Sequence, residues 1–186
     1  MNIIRAIKLS VIILGIAGIF YACKSGNDNV VDPRQTVPVD VIQSQGISVP
    51  VYDFQAFRPL LDLDTDTLYI FNFWATWCQP CVKEMPYFNM ADSAYADMPV
   101  RIVLVSLDFI ENVETHLIPF IIENELRPEV IILDDMDANS WIPQIDNDWE
   151  GTIPATLFIQ RSTSKFFARS FTYEELTFEI ESILNP

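Results

Sequence analysis

The stretch Leu68-Tyr69-Ile70-Phe71-Asn72-Phe73-Trp74-Ala75-Thr76-Trp77-Cys78-Gln79-Pro80-Cys81 fixes how the rest of the chain is read. Its first seven residues are almost all apolar and rich in aromatic side chains, the pattern of a central strand covered on both faces. Pro80 then stands where a helix tolerates proline, because first-turn N–H groups have no intrahelical acceptor. The stretch predicts a buried strand, a short turn, and a helix that starts at Cys78 and runs to about Ala96.

The flanking sequence extends this pattern. Upstream, Ile47, Val49 and Val51 alternate as a strand should, and Phe54, Phe57, Leu60 and Leu61 fit one face of a short helix. Asp62-Leu63-Asp64-Thr65-Asp66 reads as a solvated turn; a calcium loop of that length would need a carboxylate where Phe73 stands. Downstream, Val100–Leu107 is a second buried strand, and Asn112–Glu125 is a helix with Val113, Leu117, Phe120 and Ile121 on one side and a bend at Pro119. Val130–Leu133 is a third strand, and Asp134 to Trp149 is a connection with a short helix near Ser140. Ala155–Ile159 and Lys165–Arg169 form a hairpin around Gln160–Ser164. Thr172-Tyr173-Glu174-Glu175 is a capping box opening a last helix buried through Leu176, Ile180, Ile183 and Leu184. This alternation predicts an α/β fold, a mixed central sheet with helices on both faces.

Half of the 186 residues are apolar, enough for the core of one domain and short for two. The net charge of −15 excludes nucleic acid and an anionic membrane surface as direct partners. Residues 1–22 read as an export signal: Arg5 and Lys8, an apolar core, then Tyr21-Ala22 before Cys23. The run Leu9–Ala22 is shorter than the ~20 residues a spanning helix usually needs. A small residue followed by cysteine at the end of such a core resembles a bacterial lipoprotein signal, with lipidation on Cys23. Residues 23–45, polar and holding Pro33 and Pro38, read as a flexible tether, and 46–186 as the folded domain.

Only Cys78 and Cys81 then remain for chemistry. Cysteines three apart in a first helical turn share a face, at a Cα separation of about 5–6 Å that a disulfide tolerates. Cys78, at the helix start, meets free N–H groups and the positive end of the dipole, which favour its thiolate and make it the attacking sulfur. Cys81, one turn in, suits the resolving role. Zinc would need a second ligand pair, and the chain offers only His116; Met85, Met90, Met98 and Met136 have no metal-binding spacing. No metal or cofactor is implied.

Phe71 to Cys81, followed by Glu84-Met85-Pro86, closely resembles the TlpA/ResA-like thiol-disulfide oxidoreductases of the thioredoxin superfamily. Gly151-Thr152-Ile153-Pro154-Ala155-Thr156 resembles their cis-proline loop. The resemblance covers Gly46 to the C-terminus and implies a thioredoxin-like fold. It implies that Cys78 is the nucleophile, Cys81 the resolving cysteine, and Pro154 the cis proline beside the disulfide. Pro86 matches the proline that kinks the active-site helix. Trp77, Gln79, Pro80, Ile153 and Pro154 would then contact the substrate, an extended peptide lying across Ile153 through backbone hydrogen bonds. Asn72 replaces the buried aspartate of thioredoxin and takes no proton from Cys81, so Glu84 is the candidate acid/base. Trp149 is expected either to line a groove for an apolar peptide face or to pack.

These observations describe an extracytoplasmic, lipid-anchored thiol-disulfide oxidoreductase of the cell envelope or periplasm. Its partners would be protein or peptide disulfides, with apocytochrome c one candidate that the resemblance implies, and a membrane electron donor for re-reduction. Reduction is the favoured direction; thiol oxidation or isomerisation, and a non-enzymatic redox-sensing or binding lipoprotein, are the alternatives. A peroxiredoxin-like peroxidase is disfavoured, since Ala75 stands where a Thr-x-x-Cys motif has threonine.

Overall fold

The computed structural model describes residues 36–185, so the signal over 1–22, Cys23 and most of the expected tether lie outside the described residues. Among the described residues seven strands form one mixed sheet: β1 (Asp40–Ser44), β2 (Ile47–Tyr52), β3 (Leu68–Trp74), β4 (Val100–Ser106), β5 (Glu129–Leu133), β6 (Ala155–Gln160) and β7 (Thr163–Phe167). Their order across the sheet is β1-β2-β5-β4-β3-β6-β7. β2, β5, β4 and β3 run parallel, and β1, β6 and β7 are antiparallel to their neighbours. This is the mixed α/β sheet expected of a thioredoxin-like chain.

The handedness of the crossovers explains the layering. From β3 through α2 (Gln79–Ala94) to β4, and through α3 (Ile118–Glu123) to β5, the chain advances in one direction across the sheet. Right-handed connections therefore put α2 and α3 on the same face. The step from β2 to β3 runs the other way, which sends α1 (Phe54–Phe57) and the 3₁₀ turn Arg58–Leu61 to the opposite face. Two cores follow. Met85, Phe88, Leu117, Leu176 and Ile180 pack with Leu68, Ile70 and Leu104 on one side. Phe54, Phe57, Leu60, Trp141 of α4 (Ala138–Ile145) and Trp149 pack with Phe71, Phe73 and Val105 on the other. The last helix, α5 (Tyr173–Leu184), opens with the expected capping box: Thr172 Oγ1 accepts from Glu175 N–H and Glu175 Oε2 accepts from Thr172 N–H. The Tyr95 hydroxyl, just past α2, donates to Glu181 of α5 at 2.8 Å.

Three expectations need correction. The tether does not reach residue 45, because Asp40–Ser44 is a strand paired with β2. Gln45 and Gly46 have φ of 53° and 80°, the two left-handed residues of a tight hairpin turn whose twist matches the flanking strands. The polar composition of 40–46 concealed this hairpin. Asn112–Glu125 is not one bent helix: a 3₁₀ turn (Ile110–Asn112) and a π-helical turn (Val113–Leu117) precede α3. Pro119 has no N–H to give the Thr115 carbonyl, and the turn ahead of it widens, Ile118 N–H reaching back five residues to Val113 O. The second hairpin is tighter than expected, with Gln160 paired to Thr163 and Arg161 at φ 51°. Arg161 also fixes the aspartate-rich turn, its guanidinium meeting Asp66 at 2.6 Å.

Phe57 is fully enclosed and meets Phe71 and Phe73 edge-on at 5.7 and 6.2 Å. Phe57→Ala is expected to cost about 3–5 kcal/mol in urea denaturation of the oxidised protein. A loss below about 1 kcal/mol would contradict this packing.

Candidate active site

The central position of β3 determines where its C-terminal end delivers the chain. Leu107 N–H donates to Trp74 O at 2.8 Å, continuing the β3–β4 ladder to the rim. Beyond it, Thr76 is held twice by Asp108, through its N–H at 3.0 Å and its hydroxyl at 2.6 Å. Ser106 Oγ donates to the same carboxylate at 2.8 Å. Cys78 N–H donates to Ala75 O at 3.1 Å, closing the turn that starts α2.

Cys78 is the N-cap of α2: its Sγ accepts from Cys81 N–H at 3.3 Å. Pro80 lies in the first turn, where its missing N–H leaves no gap. Cys78 and Cys81 form a disulfide across a Cα separation of 5.2 Å. Cys78 is 6% exposed and Cys81 fully buried, so the helix-start sulfur is the more accessible of the two. The Ile153–Pro154 peptide is cis, and Ile153 O lies 3.7 Å from Cys78 Sγ. Trp77, Gln79 and Pro80 are exposed on the rim, Ile153 is half-buried and Pro154 buried. Cys81 and Ile153 are thus brought to the Cys78 sulfur, with Pro154 next to Ile153 and Trp77, Gln79 and Pro80 on the exposed rim.

The loop leading to Pro154 is held from behind. Trp149 is buried, packs on Phe73, Trp141 and Phe166, and donates from Nε1 to Thr152 O at 2.9 Å. Of the two expectations for Trp149, packing holds and a peptide groove does not. Gly151 has φ 81°, a left-handed conformation that favours glycine, and a Cβ there would also push the tip of Ile142, whose Cδ1 it would meet at 2.8 Å.

Glu84 departs most from an ordinary surface carboxylate. It lies one turn beyond Cys81 on the same helix face and is 1% exposed. Oε1 accepts from Asn72 Nδ2 at 3.0 Å, and Oε2 from Phe171 N–H at 2.8 Å. Asn72 Nδ2 also donates to Thr156 Oγ1 at 3.1 Å, while Asn72 Oδ1 has no partner among the described residues. Burial pushes the Glu84 pKa up to about 7, against the opposing pull of those hydrogen bonds and of the Arg169 charge. Arg169 sits 4.3 Å above the Phe171 ring and pairs with Glu175. Rotating the Asn72 amide would offer Oδ1 to a protonated Glu84 and to the Thr156 hydroxyl, so the same cluster can serve either protonation state.

Sequence reasoning missed Asp108, Thr156 and Phe171. Asp108 and Thr156 carried a signal, being polar residues at or inside apolar strands. Phe171 acts through its N–H and had none.

Residues 55–163 match the AhpC/TSA family. The chain belongs to that family. The thiol-disulfide oxidoreductase ResA of Geobacillus thermodenitrificans is 31% identical over 115 residues, 60% of each chain. ResA of Oceanobacillus iheyensis is 51% identical over 47 residues, 25% of this chain and 24% of that one. The chain therefore spans at most 60% of the length of these curated relatives. A secreted thiol-disulfide isomerase from Corynebacterium glutamicum shares the fold at a TM-score of 0.56 and 14% identity, over 79% of this chain and 82% of that one. The TlpA/ResA-like resemblance of the sequence is thereby met in an AhpC/TSA chain with a thioredoxin-like sheet.

The raised Glu84 pKa has a defined consequence for stability. Its folded pKa, about 7, exceeds the ordinary 4.5, so the folded state binds the proton more tightly than the unfolded chain. That stabilisation is complete below pH 4.5 and is lost as pH rises through 7. Over this window wild type should lose about 3 kcal/mol more stability than Glu84→Gln, measured by denaturation of the oxidised proteins. Parallel pH profiles would contradict the assignment.

Proposed function

We propose that this chain is an extracytoplasmic protein thiol-disulfide oxidoreductase that acts as a reductase. The observation that carries it is the Cys78–Cys81 disulfide at the start of α2, with the more accessible sulfur beside the Ile153–Pro154 loop. In the reduced protein, the Cys78 thiolate attacks one sulfur of a partner disulfide. The partner's other sulfur leaves as a thiolate and takes a proton, and a mixed disulfide to Cys78 remains. Cys81, once deprotonated, attacks Cys78 Sγ, releases the second partner thiol and restores the Cys78–Cys81 bond. Two electrons pass to the partner, and a membrane electron donor returns them.

Glu84 is the group we assign to the Cys81 proton. A carboxyl that titrates near neutrality both accepts and returns a proton at working pH, which a carboxylate at 4.5 does poorly. The partner's backbone lies across Ile153, with Trp77, Gln79, Pro80 and Pro154 around its cysteine. Signal removal after residue 22, a lipid on Cys23 and a tether ending before β1 would hold the domain at the envelope membrane. Among the described residues no helix is long and apolar enough to cross a membrane. Apocytochrome c is one candidate partner within this reading.

In cells, Cys81→Ala should accumulate mixed disulfides on non-reducing gels and Cys78→Ser should not. Equal trapping by both would overturn the assigned roles. A reduction potential below about −250 mV supports the reductase direction, and one near about −120 mV would make the chain an oxidant.

A further inference from the structure

A groove of about 460 Å³ opens next to Trp77, the residue before Cys78, between the Thr76–Trp77 turn and the segment from Asp108 through α3. His116, on the π-helical turn, lines it together with Phe120 and Glu123 of α3. Trp77, immediately before Cys78, is 58% exposed although its indole is among the largest apolar surfaces on the chain. Phe109, next to Asp108 at the end of β4, is 59% exposed. Trp77 lines the groove and Phe109 follows Asp108, which also lines it; large aromatics left in water there mark a contact surface.

The charge around the groove selects the occupant. From Asp108 to Leu126 the sequence carries Asp108, Glu111, Glu114, Glu123 and Glu125, with no lysine or arginine. Asp108 is committed to Thr76 and Ser106, but Glu111, Glu114 and Glu123 are exposed. An aromatic face with carboxylates beyond it fits an ammonium or guanidinium on an apolar stem: the stem lies on Trp77 and the cation meets Glu123. An acidic partner would meet repulsion in the same place.

We propose that this groove reads a basic residue flanking the partner's disulfide, so that Trp77 and Glu123 determine specificity for a cationic peptide segment. This rests on the oxidoreductase reading above and adds to it a class of substrate. The Ile153 loop holds the partner's backbone beside Cys78, and the groove holds a lysine or arginine on the Trp77 side of the same sulfur.

The test uses the reduced full chain and synthetic peptides that carry one intramolecular disulfide and differ only in flanking Lys, Leu or Glu residues. Exchange is followed by acid quench and alkylation of the peptide thiols. The Lys peptide should react with a kcat/KM about tenfold above that of the Glu peptide at low salt, the gap narrowing as salt is added. Glu123→Lys should abolish or invert the preference, and Trp77→Ala should slow the Lys peptide more than the Leu peptide. Asp97→Lys, beyond the far end of α2, should leave the preference in place. Equal rates in wild type, or a preference for Leu or Glu, overturn the inference while leaving the oxidoreductase reading standing. Failure to exchange with any of the peptides overturns that reading, and the inference with it.

Discussion

Glu84 is enclosed at the meeting point of four elements, and the arrangement around the disulfide depends on keeping it there. Asn72 comes from β3, Glu84 from α2, Thr156 from β6, and the N–H of Phe171 from the turn into α5. An ionised carboxylate in such a place is costly unless it is hydrogen-bonded, and the cost falls when it takes up a proton. The cluster supplies both remedies: two donors for the anion, and a pKa lifted to about 7. Because Cys81 lies one turn earlier on the same helix face, this poised carboxyl shares a side of α2 with the buried sulfur. The two sulfurs therefore face different surroundings. Cys78 has the helix terminus and the Ile153 carbonyl, and Cys81 has the apolar core, with a titratable acid one turn further along the helix.

The sheet makes this asymmetry possible. β3 is flanked by β4 on one side and antiparallel β6 on the other, with Asn72 directly opposite Thr156 in the β3–β6 register. The same register sets Phe73 against Ala155, which brings the cis-proline loop level with the end of β3. Asp108, reached from β4, fixes the turn from the other side. The site is therefore assembled by strand pairing, and its position follows from β3 being central.

The strands were legible because they are apolar runs between turn residues, and the Cys78/Cys81 pair because its spacing has few structural uses. The β1 hairpin was not, since Gln45-Gly46 lacks the asparagine or aspartate that usually announces such a turn, and Val39 and Val41 remain exposed. The π-helical turn was hidden because apolar spacing near Pro119 looks the same whether the turn is bent or widened. Glu84 was found as a residue from its family position. Its burial was not readable, because the groups that enclose it come from positions 12 to 87 residues away.

The central claim is that a carboxyl beneath the redox pair titrates near neutrality. Its most direct test is the pH titration of the Glu84 side-chain carboxyl carbon by ¹³C NMR in the oxidised full chain. A midpoint near pH 7 is predicted, and a midpoint near 4.5 would contradict the account.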